Sequence, residues 1–140
     1  MVNNKKIRNR ALFCDLLNLP RGKYLPREVA ASGKVGFARG AFAVSFDRDL
    51  LEVPGCGFYD GLPDMELVLD EERRKSWQPD TEIALGDLQV DDKPFGLCAR
   101  SQLRRTIGEW EDLGFSPMVG LETEAYLFQK DADGVWRPYD

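Results

Sequence analysis

The stretch Asp64-Met65-Glu66-Leu67-Val68-Leu69-Asp70, DMELVLD, alternates polar and apolar residues. Successive strand side chains point to opposite faces, so this pattern predicts a half-buried β-strand. Downstream, Thr81 to Val90 predicts a second strand through Ile83, Leu85 and Leu88, broken by Asp91-Asp92-Lys93-Pro94. Between them, Glu71 to Pro79 is charged and irregular around Trp77. Upstream, Glu52 to Pro63 is a loop rich in Pro, Gly and Asp, and Phe42 to Phe46 alternates as a further strand. Arg10 to Leu17 and Arg21 to Pro26 predict two short strands around the turn Asn18-Leu19-Pro20. Pro26 to Ala31 predicts one helical turn, ended by Ser32-Gly33.

The character changes after Pro94. Leu103, Ile107, Trp110 and Leu113 recur at helical spacing, predicting a helix over about 101–113 with Ser101 at its start and Gly114 at its end. A turn with Pro117 leads to Gly120-Leu121-Glu122-Thr123-Glu124-Ala125-Tyr126-Leu127-Phe128, read as a strand. Asp131-Ala132-Asp133-Gly134 is a turn, and Val135-Trp136-Arg137 begins a return strand. That return strand is too short to cover its partner, which raises the expectation that the chain is a piece of something longer. Strands first and a helix later define an α+β class.

Composition narrows the function. With 140 residues, 43% hydrophobic and 31% charged, the chain suits one domain, or one small domain and part of another. A net charge of -5 argues against a nucleic-acid partner, which calls for a basic patch. The one basic cluster, Lys5, Lys6, Arg8 and Arg10, reads as a solvated N-terminal arm. The apolar stretch after it, Ala11 to Cys14, is too short for a signal peptide, and no run is of membrane-spanning length. Three scattered cysteines, with no CxxC pair and no histidine, argue against structural zinc and a secreted disulfide framework. Cytoplasm is the expected compartment. Without histidine, any chemistry of this chain rests on carboxylates, Lys, Arg, Tyr or Cys.

Two places gather candidate chemistry. On a strand Glu122 and Glu124 share a face, about 7 Å apart by the strand rise. Paired carboxylates repel, and a hard divalent cation, magnesium or manganese, relieves that repulsion. The same spacing also fits a solvent-facing edge strand with two harmless glutamates. The loop Phe58-Tyr59-Asp60-Gly61-Leu62-Pro63-Asp64-Met65 combines acid, aromatic and glycine residues, either as a functional loop or as an Asp-Gly turn before a strand. Arg21-Gly22-Lys23 lacks the pattern of a phosphate loop and reads as a turn with a permissive glycine.

In order, these pieces resemble the glutamine synthetase family. Phe13-Cys14-Asp15-Leu16 through Arg21-Gly22-Lys23-Tyr24-Leu25-Pro26 resembles its opening strand pair. Asp64 to Asp70 resembles its Asp-Met strand, Trp77-Gln78-Pro79 through Asp87 the next segment, and Arg100 through Leu113-Gly114 its first catalytic-domain helix. Gly120 to Phe128 resembles its Gly-x-Glu-x-Glu-aromatic strand, although Ala125 stands where the aromatic usually falls and Leu69 where Pro usually precedes Asp. The details are closest to the short-loop branch, which includes γ-glutamyl–amine ligases.

The resemblance implies a β-grasp-like N-terminal domain over 7–96, followed by the truncated start of an α/β catalytic domain over 97–140. It implies ATP-dependent joining of ammonia or an amine to glutamate through a γ-glutamyl phosphate, with Mg2+ or Mn2+ holding the phosphates. Glu122 and Glu124 fall where the family places metal ligands. Asp60 or Asp64 is the acid that one subunit donates to its neighbour's site in a homo-oligomer of stacked rings. Most of the ATP site lies outside this chain, so the chain alone is expected to be inactive. The alternative is a stand-alone β-grasp module that associates with a full-length relative.

Overall fold

A computed structural model describes residues 7–139 of the chain. The architecture is mixed α+β, as expected, and its first part is one sheet. Strands β1 (Arg8–Cys14) and β2 (Pro20–Leu25) form the antiparallel pair read from the sequence. Helix α1 (Arg27–Ala31) follows, then β3 (Lys34–Ala38), β4 (Asp64–Leu69), β5 (Lys75–Gln78), β6 (Thr81–Val90) and β7 (Lys93–Pro94). The sheet runs β2-β1-β6-β4-β3, with β5 and β7 also paired to β6. Only β1 and β6 are parallel, with Leu12 opposite Leu85; the other pairs are antiparallel. The tight β6–β7 turn uses Asp91 and Asp92, both at positive φ, as a two-residue hairpin of type I′ requires.

The core collects the apolar halves of these strands. Ala11 and Phe13 from β1, Met65, Leu67 and Leu69 from β4, and Ala84 and Leu88 from β6 are all buried. Phe13 meets Phe37 edge-on with ring centroids 4.9 Å apart, and Phe42 joins Phe13 to Phe95. Two glycines let backbones approach. A Cβ on Gly22 would stand 2.2 Å from the Ala11 carbonyl oxygen, and one on Gly86 would stand 2.3 Å from that of Val68. Arg21-Gly22-Lys23 is therefore the middle of β2 rather than a turn, and Gly22 serves close packing rather than a left-handed backbone.

The structure corrects several readings. Phe42 to Phe46 is not a strand: Arg39–Phe42 is a turn of 3-10 helix that drops Phe42 into the core and leaves Phe46 89% exposed. The strand lies earlier, at Lys34–Ala38, where Gly36 weakens the sequence signal. Glu71 to Pro79 is more ordered than its composition suggests, with Glu71–Arg73 helical and Lys75–Gln78 paired to β6. Of the basic cluster, Arg8 and Arg10 lie in β1 rather than in a solvated arm; Arg8 pairs with Asp80 at 2.9 Å, and both guanidinium groups sit 5.6 Å from the Tyr24 ring centre. Lys5 and Lys6 lie outside the described residues.

Helix α2 spans Ala99–Asp112, two residues earlier than expected, with Cys98 rather than Ser101 at the N-cap. Its end is as read. Gly114 takes φ +84°, its N–H donates to Glu111 O, and Phe115 N–H reaches back to Trp110 O. Phe115 and Trp110 also touch through their rings, the apolar contact that accompanies this capping pattern. No residue of α2 is buried. The predicted strand Gly120–Phe128 is the largest correction. Only Phe128–Lys130 (β8) is a strand, paired with Trp136–Pro138 (β9). Residues 120–127 are exposed and lie outside any strand: the Leu127 carbonyl accepts Tyr139 N–H at 2.9 Å beside the β8–β9 pair, but among the described residues no strand lies beside 120–126 to take their backbone hydrogen bonds. The turn at Asp131 is as read: its Oδ1 accepts N–H bonds from Asp133 and Val135, and its Oδ2 meets Arg137 Nε at 2.6 Å.

Candidate functional site

The loop before β4 is held by its own carboxylates. Asp60 Oδ2 accepts the N–H of Gly55 at 2.8 Å and that of Gly57 at 3.4 Å, and Glu52 Oε2 accepts Tyr59 N–H at 3.3 Å. Asp60 thus braces a turn, while Phe58 and Tyr59 are thrown outward, Tyr59 with 90% of its surface exposed. Asp64, the first residue of β4, stands opposite Ala38, and its carbonyl accepts Arg39 Nε at 2.9 Å. It lines an open cleft of about 360 Å³ with Arg39, Glu66, Gln89, Asp91 and Asp92. Lys34 bridges Glu66 and Asp92 at the cleft's edge, at 3.0 and 3.2 Å. Asp60 therefore faces its own turn, and Asp64 faces this cleft.

Glu122 and Glu124 lie on the unpaired stretch before β8, both exposed. Without strand pairing, the shared face assumed for them is not imposed by a ladder. Carboxylates are the right donors for magnesium or manganese, but among the described residues no three His, Cys, Asp or Glu side chains converge on one point. The residues present do not by themselves build a metal centre, and no chemical step is routed through one.

A cluster that sequence reading passed over joins α2 to the sheet. Arg100 Nη2 meets Asp70 Oδ2 at 2.7 Å and its Nε meets Asp87 Oδ1 at 2.9 Å. Arg104 grips the same two carboxylates, Asp70 at 3.3 Å and Asp87 more closely. The signal was present: arginines four apart on a helix share a face, and Asp70 follows the end of β4 while Asp87 lies in β6 opposite Val68. Another internal clamp is Asp15, buried after β1. It accepts N–H bonds from Leu17 and Leu19 and the Arg21 guanidinium at 2.6 Å. Burial pushes its carboxyl up, but those donors together outweigh burial and hold it below the ordinary carboxylate range.

Over most of its length the chain is similar to glutamine synthetases. Those of Pyrococcus woesei and Pyrococcus furiosus are each 29% identical to it over 138 residues, covering 89% of this chain and 26% of theirs. That of Methanosarcina mazei is 42% identical over 77 residues, 51% of this chain and 17% of its own. The chain thus spans about a quarter of the length of the Pyrococcus relatives, 26%. No protein-family model matches it. Among solved structures, a novel glutamine synthase homolog superposes with a TM-score of 0.64 at 20% identity, over 77% of this chain and 27% of that one. GmaS in complex with ADP gives 0.59 at 22% identity, over 78% and 24%. These structural likenesses carry the fold. No helix among the described residues is long and apolar enough to cross a membrane.

Proposed function

We propose that this chain supplies the N-terminal region of an ATP-dependent ligase that joins ammonia or an amine to the γ-carboxylate of glutamate, by way of a γ-glutamyl phosphate. The observation that carries this is the extended match: similarity to glutamine synthetases over 89% of the chain but 26% of the relative. Residues 7–96 form a β-grasp-like domain, and 97–140 open an α/β catalytic domain. All seven strands of the main sheet fall within 8–94, in support of that division.

Within the ligase, Glu122 and Glu124 are two ligands for Mg2+ or Mn2+, and ATP binds mostly to residues outside this chain. Asp60 or Asp64 reaches a neighbouring subunit's site in a cytoplasmic homo-oligomer of stacked rings. The cleft position of Asp64 and the exposed loop tip beside Asp60 each leave room for that contact. Two exposed glutamates cannot alone hold nucleotide and substrate, so the 140-residue chain is inactive by itself. The test is phosphate release by the purified chain with ATP, glutamate, Mg2+ and either ammonia or methylamine. No release is expected; γ-glutamyl phosphate formed by this chain alone would overturn the reading.

A second reading is favoured by one observation: Leu103 and Trp110 on α2, and Leu113, Met118, Val119 and Leu121 after it, are all exposed. On this reading the chain is a stand-alone module that associates with a full-length relative. Sedimentation of a mixture with such a relative distinguishes the two; a monomer that never joins the larger species excludes the module.

A further inference from the structure

Cys14 and Cys98 are distant in sequence but line the same cavity. Cys14 is the last residue of β1 and is exposed; Cys98 is the N-cap of α2 and is 3% exposed. The cavity between them measures about 80 Å³, with Leu12 and Leu85 in its apolar wall and Arg100 at its edge. Cys56, the third thiol, is buried elsewhere, in the loop after the 3-10 turn. We propose that Cys14 and Cys98 are a redox pair, closed to an intramolecular disulfide by hydrogen peroxide.

The exposed thiol reacts first. The Cys14 thiolate attacks one peroxide oxygen; the O–O bond breaks, the departing oxygen leaves as water after taking a proton, and Cys14 becomes a sulfenic acid. The Cys98 sulfur then attacks the Cys14 sulfur across the cavity. An S–S bond forms, the S–OH bond breaks, and the hydroxyl leaves with the Cys98 proton as water. The two sulfurs lose two electrons in all, and the peroxide gains them. Cys98 is the resolving thiol because it is shielded from bulk peroxide but open to the cavity. Cys56 is the natural bystander: it does not line this cavity, and burial pushes its thiol up, which disfavours the reactive thiolate. The bond would tie the start of α2 to the end of β1, beside the Arg100 contacts.

The test treats the whole folded chain with hydrogen peroxide, alkylates the remaining thiols and maps peptides without reduction. Free thiols should fall from three to one, with a Cys14–Cys98 linked peptide that dithiothreitol abolishes. Cys56→Ser should retain the link and Cys14→Ser should lose it. Because Cys98→Ser alters a buried site, the exposed Cys14→Ser variant carries the decision. A linkage to Cys56, dimers joined through Cys14, Cys14 driven to sulfinic acid with Cys98 free, or three unreacted thiols would each overturn the proposal.

Discussion

Arg100 Nε lies 2.9 Å from Asp87 Oδ1, so the second residue of α2 is fastened to the central strand of the sheet. Arg100 is the more buried of the two arginines that hold Asp70 and Asp87, with 23% of its side chain exposed. Arg100→Ala is expected to lower stability by about 1–3 kcal/mol, the loss of its charge-assisted hydrogen bonds to two half-buried carboxylates. Arg104 is 48% exposed, and Arg104→Ala should cost under about 1 kcal/mol. Urea unfolding midpoints measure both. Equal effects of the two substitutions would contradict the assignment of Arg100 as the main anchor.

Asp15 gives a pH dependence with a definite sign. Its folded-state carboxyl is held below its ordinary value, so the unfolded chain takes up the proton first on acidification. Its contribution is present above the unfolded value and is lost as pH falls through the folded one. Asp15→Ala should cost about 1–3 kcal/mol near neutrality, because Leu17 and Leu19 N–H groups and Arg21 lose their acceptor. The gap between wild type and variant should narrow below about pH 4. Urea titrations at several pH values read this directly; a gap that widens in acid would refute it.

The two close-packed glycines predict a contrast. Gly22→Ala and Gly86→Ala put a methyl against backbone carbonyls, and each should cost about 1–3 kcal/mol through forced strand separation. Gly36→Ala meets nothing within 4 Å and should be neutral or slightly stabilising. Thermal melts of the three variants separate steric demand from glycine content.

Glu122→Gln and Glu124→Gln should leave the stability of this chain within about 0.5 kcal/mol, as exposed substitutions do. In a full-length ligase the same changes should weaken Mn2+ binding, measured by titration of the metal. Unchanged Mn2+ affinity in both variants would remove them from the ligand set.

What the sequence revealed follows from where each element finds its support. Asp64–Leu69 was legible because a half-buried strand writes its alternation locally. The extent of β6 was legible too, but its facing was not: Leu85 is 40% exposed while Gly86 turns inward, a choice set by how closely β4 approaches. Phe42 to Phe46 imitated a strand because a 3-10 turn can also send one aromatic inward and another outward. Ser101 looked like a cap, but Arg100 pairs with Asp70 and Asp87, and the helix begins before it. Glu122 and Glu124 could be located but not oriented, because strand geometry needs a neighbour that local sequence does not supply.

The parallel pairing of β1 with β6 has a consequence for synthesis. β2 emerges soon after β1 and covers one of its edges, but the other edge waits for β6, about seventy residues later. At a ribosomal rate of about 5–20 residues per second, that edge stays open for roughly 4–14 s. During that interval Ala11 and Phe13 have no β6 to pack beside, and the nascent chain is most exposed to chaperones and to wrong partners.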